Sequence, residues 1–144
     1  MLTQPEAEQL MQTAKRFVRP PAAVAIPPGV DETYELTAIE GREKFLLDLW
    51  RGTIRISKLK FQERVRITSV LARLDVNGAP HTNPDLTTVP GTHLHLYREG
   101  FEDRWAFPVD AKLFSRLGDP AAIFRDFCAF CNIVEPPPAQ GWIE

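Results

Sequence analysis

Cysteine is scarce in this sequence: the chain has only Cys128 and Cys131 in 144 residues. Two thiols at this spacing could form a redox pair or supply half of a zinc site. They also continue an apolar stripe of Ile123, Phe124 and Phe127 at the spacing of a buried helix face. We favour the helix-face interpretation, because cysteine is a common core residue and no second pair could complete a four-thiolate site.

Long apolar runs and several well-known motifs are also missing. No apolar segment approaches the roughly 20 residues that cross a bilayer, and residues 1–6 lack the basic start of a secretory signal. We therefore expect a cytoplasmic protein with no membrane partner. The sequence contains no Walker loop, dinucleotide fingerprint, nucleophile elbow or acidic metal cluster. This disfavours nucleotide-driven and serine-hydrolase chemistry, and we assign no cofactor.

Basic residues are concentrated in one part of a chain whose net charge is −2. Residues 51–73 contain seven basic side chains and one acid, whereas residues 31–48 contain six acids and two basic residues. A local basic strip is the electrostatic mark of a polyanion-binding surface, although such side chains can also simply solvate the outer face of a sheet. The candidate substrate-binding residues are Arg55, Lys58, Lys60, Arg64 and Arg66, with Asn83 from a later loop.

Two helices are predicted near the ends of the chain. Thr3 and Glu6 form a capping box, and the apolar spacing after them predicts a helix over residues 3–18. The pair Asp119-Pro120 is an N-cap followed by proline at the first helical position, which predicts a helix over residues 119–132.

Between the helices, alternating apolar and polar residues predict an antiparallel sheet. Residues 53–60 alternate isoleucines with Arg55 and Ser57, the period-two pattern of a half-exposed strand. Short connections favour a meander of five or six strands with both helices packed on it, which is an α+β fold. The expected strands cover residues 34–39, 45–50, 53–60, 65–76, 92–98 and 104–109.

Proline and glycine mark the irregular parts of the chain. Four prolines within residues 19–29 indicate an extended connector, and three consecutive prolines after residue 135 predict a flexible tail over about 135–144 that carries Trp142. We expect one domain covering residues 1–144. Residues 77–91 are rich in glycine, proline and asparagine, with little that could pair as a strand, and a structureless loop this long in a small domain is often functional.

All three histidines lie within fifteen residues, at positions 81, 93 and 95. Alternate residues of a strand point the same way, so His93, His95 and Tyr97 are expected on one face while the leucines between them face the core. If this strand pairs with the preceding one, Arg73 and Asp75 would lie beside them, with His81 and Asn83 above.

This constellation would suit cleavage of a phosphodiester without metal. One histidine would take the proton of a ribose 2′-hydroxyl, another would protonate the leaving oxygen, and an arginine would stabilise the developing charge. Alternatively, His-x-His is a metal-ligand pair with His81 or Asp75 as a third ligand, or the histidines are half-buried residues bonded to the loop. We assign no metal and take as candidate catalytic residues His81, His93, His95, Tyr97, Arg73 and Arg98.

The same part of the sequence carries a resemblance. The segments RLDVNGAPHTNPD (residues 73–85) and HLHLYREGFEDRWA (residues 93–106) are similar to the core of an uncharacterised family of bacterial and prophage genomes. The opening residues and residues 44–48 fit the same family, so the similarity runs to about residue 108. Where this chain has Asp85-Leu86, the family more usually has Asp-Gly, which leaves the tightness of that turn open. The resemblance implies a mobile-element role, such as a toxin, a defence protein or a defence inhibitor, and it brings no established activity.

Together these observations favour a small protein that acts on RNA or another polyanion. The first hypothesis is a metal-independent endoribonuclease of toxin type. The second is a non-catalytic protein that binds nucleic acid or a cognate protein partner, and the third is a metal-dependent hydrolase.

Overall fold

The computed structural model describes residues 1–141 and shows an α+β fold built on a large antiparallel sheet. Its seven strands are β1 (Lys15–Phe17), β3 (Asp31–Ala38), β4 (Lys44–Arg51), β5 (Leu59–Val65), β6 (Ser69–Val76), β9 (His93–Leu96) and β10 (Ala106–Pro108). They lie across the sheet in that same order. The predicted fold class is therefore confirmed, and the sheet exceeds the expected five or six strands. Short connections pair successive strands, which is the meander that the sequence predicted.

The first helix, α1 (Gln4–Gln12), is shorter than predicted. Its capping box is present, with Thr3 accepting from the backbone N–H of Glu6 and the Glu6 side chain accepting from the Thr3 backbone. The expected continuation to residue 18 is wrong, because Lys15–Phe17 pairs with β3 as the edge strand β1. Tertiary pairing here outweighs a helical spacing that the sequence also permits.

The second helix, α2 (Pro120–Phe130), follows the prediction closely. Asp119 accepts hydrogen bonds from the backbone N–H groups of residues 121 and 122, and Pro120 occupies the first turn. Phe124 and Phe127 contact the Phe61 ring edge-on, at centroid distances of 6.5 and 6.2 Å. Both cysteines are buried and free, as the helix-face interpretation requires.

Two predicted strands are wrong in their bounds. Residues 53–57 form a tight loop, closed by hydrogen bonds from Gly52 N–H to Lys58 O and from Lys58 N–H to Arg55 O, and Ile54 is 95% exposed. The strand therefore begins at Leu59. The expected strand over residues 65–76 is interrupted at Arg66 and Ile67, whose φ angles of 51° and 70° turn the chain into β6.

Short strands also form where none was expected. The loop of residues 77–91 contains a hairpin of β7 (His81–Thr82) and β8 (Thr88–Val89). The proline-rich connector contains β2 (Val24–Ile26), which pairs in parallel with β11 (Ala139–Gly141). Part of the segment that we expected to be a flexible tail is thus a strand, while Trp142 and residues 143–144 lie outside the described residues.

The core lies on one face of the large sheet. Both helices contribute to a single buried cluster with the apolar side chains of the central strands. The opposite face is polar, because the alternate residues of the same strands are Asp48, Lys60, Gln62, Arg73 and Asp75. No helix within residues 1–141 is long and apolar enough to cross a membrane.

One ion pair is enclosed in the core. Nζ of Lys15 lies 3.0 Å from Oε1 of Glu63, and both side chains are fully buried. Lys15 also donates to the backbone oxygens of Met11 and Cys131, whereas Oε2 of Glu63 has no hydrogen-bond partner among the described residues. Burial raises the pKa of Glu63 to about 7, and the nearby Lys15 only partly offsets it.

Candidate functional site

The strand register brings the predicted histidine site together. On β6 and β9, Arg73 pairs with His95 and Asp75 pairs with His93, on the polar face of the sheet. Leu94 faces the core as expected. The pairing of these two strands, predicted from the loop that connects them, is confirmed.

The three imidazole rings form one compact group. Ring centroids are 4.8 Å apart for His93 and His95, 4.7 Å for His81 and His95, and 5.7 Å for His81 and His93. His81 reaches the group from the β7–β8 hairpin, as expected of the loop. His93 and His95 are only 2% and 1% exposed, so the hairpin and the turn before β10 shield them.

Each histidine is oriented by a backbone carbonyl. Nδ1 of His93 lies 2.6 Å from Pro90 O, Nδ1 of His95 lies 2.8 Å from Asp103 O, and Nε2 of His81 lies 2.8 Å from Arg104 O. A carbonyl can only accept a hydrogen bond, so each of these ring nitrogens must donate. The remaining nitrogens, Nε2 of His93 and His95 and Nδ1 of His81, therefore present lone pairs when the rings are neutral.

Asp75 is the acid of this group. Its Oδ2 lies 3.1 Å from Nε2 of His93 and 3.4 Å from Nε2 of His95. Burial by itself raises the pKa of the Asp75 carboxyl, but His95, Arg73 and His93 together outweigh burial and lower it. The carboxylate form is therefore favoured, and it places a negative charge where two imidazole nitrogens converge.

Arg73 links this group to the turn before β10. Its Nη2 lies 3.0 Å from Nε2 of His95, and its Nη1 lies 3.1 Å from Oδ2 of Asp103. Its Nε lies 3.3 Å from Oδ1 of Asp75, yet neither of these two buried atoms makes a hydrogen bond within residues 1–141. Sequence reasoning missed Asp103, because only the folded turn before β10 places its carboxylate beside Arg73 of β6.

Two predicted catalytic residues lie elsewhere. Tyr97 is buried in the hydrophobic core, and its hydroxyl donates to Leu2 O at 2.7 Å. The expected shared face fails because β9 ends at Leu96, so the strand alternation does not extend to residue 97. The guanidinium of Arg98 stacks over the Trp105 ring, 4.7 Å from its centroid, and is exposed.

Asn83 has a structural position rather than a binding one. Its side chain is buried and exchanges hydrogen bonds with the backbone of Ala106. The amide is fully occupied in holding the hairpin, so it is not presented to a substrate in this structure.

The predicted basic strip is divided by the fold. Arg64 is held by Asp48 through Nε and Nη2, at 2.7 and 3.0 Å. Arg66 lies at the β5–β6 turn, paired with Glu43 and Glu6. These two arginines are therefore largely neutralised by acids that the sequence places far away.

Lys58 and Lys60, two of the remaining basic residues, lie beside an aromatic ring that sequence reasoning missed. Nζ of Lys58 and Nζ of Lys60 lie 5.8 and 5.6 Å from the centroid of half-buried Trp50. Arg55 is exposed in the loop between β4 and β5, with Nη2 donating to Asn77 O. A depression of about 450 Å³ runs from Trp50 and Lys60 across the polar face to Arg73, and the acids Asp31 and Asp48 also line it. Trp50 follows Asp48 at the two-residue spacing of the polar strand face, and this spacing was the signal in the sequence that could have placed it there. Its pairing with Lys60 is seen only in the structure.

Comparison with known proteins identifies the family. A family described only as being of unknown function, DUF6978, matches residues 2–133. The chain belongs to this DUF6978 family. The predicted resemblance to an uncharacterised family is thereby confirmed. The matched residues include both helices and all seven strands of the large sheet. No curated protein and no solved structure matches the chain, so the site must be interpreted from its own geometry.

Proposed function

We propose that this DUF6978 member binds RNA, or another polyanion, on the exposed part of its polar sheet face. The supporting observation is the grouping of Lys58 and Lys60 around the Trp50 ring. Single-stranded RNA suits such a surface, since bases stack on aromatic rings while phosphates contact cations. We accordingly propose RNA as the partner and the cytoplasm as the compartment in which it is bound.

The depression beside Trp50 sets the direction of the bound strand. It crosses the face from β3 to β6, where Arg73 lines it. Arg73 also contacts His95, so a strand lying in the depression would end next to the histidine group. Arg55, exposed in the loop before β5, adds a further cation outside the depression.

Salt dependence of binding tests this proposal. We expect a labelled oligouridine, followed by fluorescence anisotropy, to bind with a logarithmic salt slope of about −0.7 per phosphate contact. The double variant Lys58→Gln/Lys60→Gln should flatten the slope by about 1.4. Trp50→Ala should weaken binding by roughly tenfold or more through lost stacking.

A charge-matched control separates this surface from general electrostatics. Lys112→Gln/Arg116→Gln removes two exposed charges from the segment before α2 and should leave the slope nearly unchanged. Equal slopes for the two double variants, or no binding at low salt, would contradict the proposal. A protein that binds no RNA would instead favour a cognate protein as the partner of this face.

A second candidate function is metal-independent cleavage of RNA, as in a toxin-type endoribonuclease of a mobile element. It is favoured by His81, which is half-buried, has no hydrogen bond to Nδ1 among residues 1–141 and lies within 4.7 Å of His95 between ring centroids. Arg73 could stabilise developing charge. Because His93 and His95 are almost fully enclosed, binding ranks ahead of cleavage.

The cleavage candidate has its own test. Purified protein with excess chelator should cut RNA between about pH 5 and about pH 9 with a bell-shaped profile, and His81→Ala should lower the rate ~10²-fold or more. Expression should arrest growth, and the variant should not. Intact RNA under all these conditions would remove this candidate and leave the binding proposal standing.

A further inference from the structure

Three potential metal ligands converge on one point of the polar face. Asp75, His93 and His95 each offer one ligand atom, a carboxylate oxygen or an imidazole nitrogen, and these atoms lie within 4.8 Å of one another. The two shortest separations, from Oδ2 of Asp75, are 3.1 and 3.4 Å. Tetrahedral zinc with bonds of about 2.0–2.1 Å places its ligand atoms roughly 3.3 Å apart. The two separations from Asp75 match this value, and the third, between the two histidines, is at most 4.8 Å and has to adjust when a metal binds.

The orientation of the rings also matches a metal site. Nδ1 of both His93 and His95 donates to a backbone carbonyl, of Pro90 and Asp103 respectively. Metal-binding histidines are characteristically fixed by such a hydrogen bond from the nitrogen opposite the metal, which sets the tautomer and aims the other lone pair. Nε2 of His93 lies against the Asp75 carboxylate, while Nε2 of His95 accepts from Arg73 and lies 3.4 Å from the same carboxylate. With both rings neutral, lone pairs this close to a carboxylate are repelled by it until a proton or a metal ion lies between them.

The carboxylate itself is incompletely satisfied. Asp75 is nine-tenths buried, and its Oδ1 has no hydrogen-bond partner in the described part of the chain. Arg73 supplies positive charge, but its Nε, 3.3 Å away, is not directed at Oδ1. The Nη2 of Arg73 donates to Nε2 of His95 and not to the carboxylate. Arg73 therefore substitutes only partly for a cation at this point.

We propose that Asp75, His93 and His95 bind one divalent transition-metal ion of the zinc type. Water completes the coordination, as in zinc sites with three protein ligands. Arg73 moves off His95 and keeps its ion pair with Asp103, which it already makes at 3.1 Å. His81 stays outside the sphere and faces the bound water. The ligand set of two imidazoles and one carboxylate favours zinc over magnesium or calcium, which prefer oxygen ligands.

This inference goes beyond the proposed RNA binding and does not depend on it. Ligated His93 and His95 have no nitrogen left for proton transfer, so the metal site is incompatible with metal-free cleavage by those two residues. Binding of RNA around Trp50 uses other side chains and is measured separately.

Metal titration of untagged, chelator-treated protein tests the proposal. We expect Zn²⁺ to bind with one ion per chain by calorimetry, and Co²⁺ to give the intense visible absorption of a tetrahedral site. His93→Ala and His95→Ala should each weaken binding ~100-fold, the upper end of losses seen even for residues that only support ligands. Arg73→Met should tighten binding, because it removes the competing cation.

A matched control and a fold-independent measurement complete the design. His81→Ala also removes one imidazole from the same group but should weaken binding less than tenfold. If a ligand variant fails to fold, the wild-type protein still decides the matter, since Zn²⁺ should raise its melting temperature and a chelator should reverse the rise. Absence of binding in both the wild type and Arg73→Met, or an equal loss in all three histidine variants, would overturn the assignment.

Discussion

Asn83 and Ala106 exchange two hydrogen bonds: Nδ2 of Asn83 donates to Ala106 O at 3.0 Å, and Ala106 N–H donates to Oδ1 at 2.8 Å. Asn83 is only 5% exposed. Its amide thus pairs with β10 as a neighbouring strand would and fastens the β7–β8 hairpin beside the histidines. The hairpin's own ladder is only two residues long, so its position depends on the Asn83 amide together with the hydrogen bond from His81 Nε2 to Arg104 O.

Asn83→Ala should therefore destabilise the protein by about 2–6 kcal/mol, since two buried backbone groups lose their partners at roughly 1–3 kcal/mol each. Chemical denaturation measures the loss. Thr82→Ala, an exposed position of the same hairpin, should change stability by less than about 0.5 kcal/mol. Similar losses at the two positions would show that Asn83 does not fasten the hairpin.

The buried Glu63 should make stability fall as pH rises. Its pKa is about 7 in the folded protein and 4.5 for an unperturbed glutamate, so the folded state binds more protons between these pH values. The stability contribution is present below pH 4.5 and is lost as pH rises through 7. Glu63→Gln removes this titration, and the stability difference between variant and wild type should shift by about 3 kcal/mol across that window.

Denaturation curves at several pH values measure this shift. The variant keeps the shape of the side chain and an acceptor for Lys15, so cavity effects are the same at each pH and cancel. A difference that is independent of pH would show that Glu63 titrates normally.

The turn at Leu86 carries backbone strain. Leu86 has a φ of 72° and is 82% exposed, so its side chain contributes little packing while its Cβ disfavours the conformation. Leu86→Gly should be more stable than Leu86→Ala by about 1 kcal/mol, because both remove the side chain but only glycine tolerates this φ. Thermal melts of the two variants measure the difference. Equal stability of Leu86→Ala and Leu86→Gly would show that the backbone at this position is not strained.

Both cysteines should be unreactive in the folded protein. Burial and the charge of Glu63 raise the pKa of Cys128 to about 12, and burial raises that of Cys131 well above its usual value. Because the thiolate is the nucleophile, iodoacetamide at pH 8 should label neither residue in buffer and both in denaturant. Mass spectrometry counts the added groups, and rapid labelling of either thiol in buffer would contradict the enclosed core.

Local chemistry was sufficient to predict part of this structure. The capping box at Thr3, the Asp119-Pro120 start of α2 and the alternation around Arg73 and Asp75 each depend on neighbouring residues, and each is present as predicted. The clustering of His81, His93 and His95 also followed from sequence, since two lie two residues apart on a strand and the third precedes it by one short loop.

Other features depended on residues far apart in sequence. The spacing of residues 3–18 fits a helix, yet Lys15 leaves it because β3 offers backbone partners and Glu63 offers a counter-charge. Arg64 and Arg66 belong to a basic strip in sequence, but Asp48 of β4 and Glu43 of the loop before β4 pair with them in the fold.

The sequence by itself determined which residues could meet: the fold class, the helix starts and the polar face of β6 and β9 follow from short-range spacing and capping. Only the tertiary structure decided which of them do meet. The ligand geometry of Asp75, His93 and His95 depends on strand register and on two backbone carbonyls, and the placement of Tyr97 depends on where β9 ends. These are long-range choices, because a pleated strand fixes direction locally while its partners are selected by packing across the whole sheet.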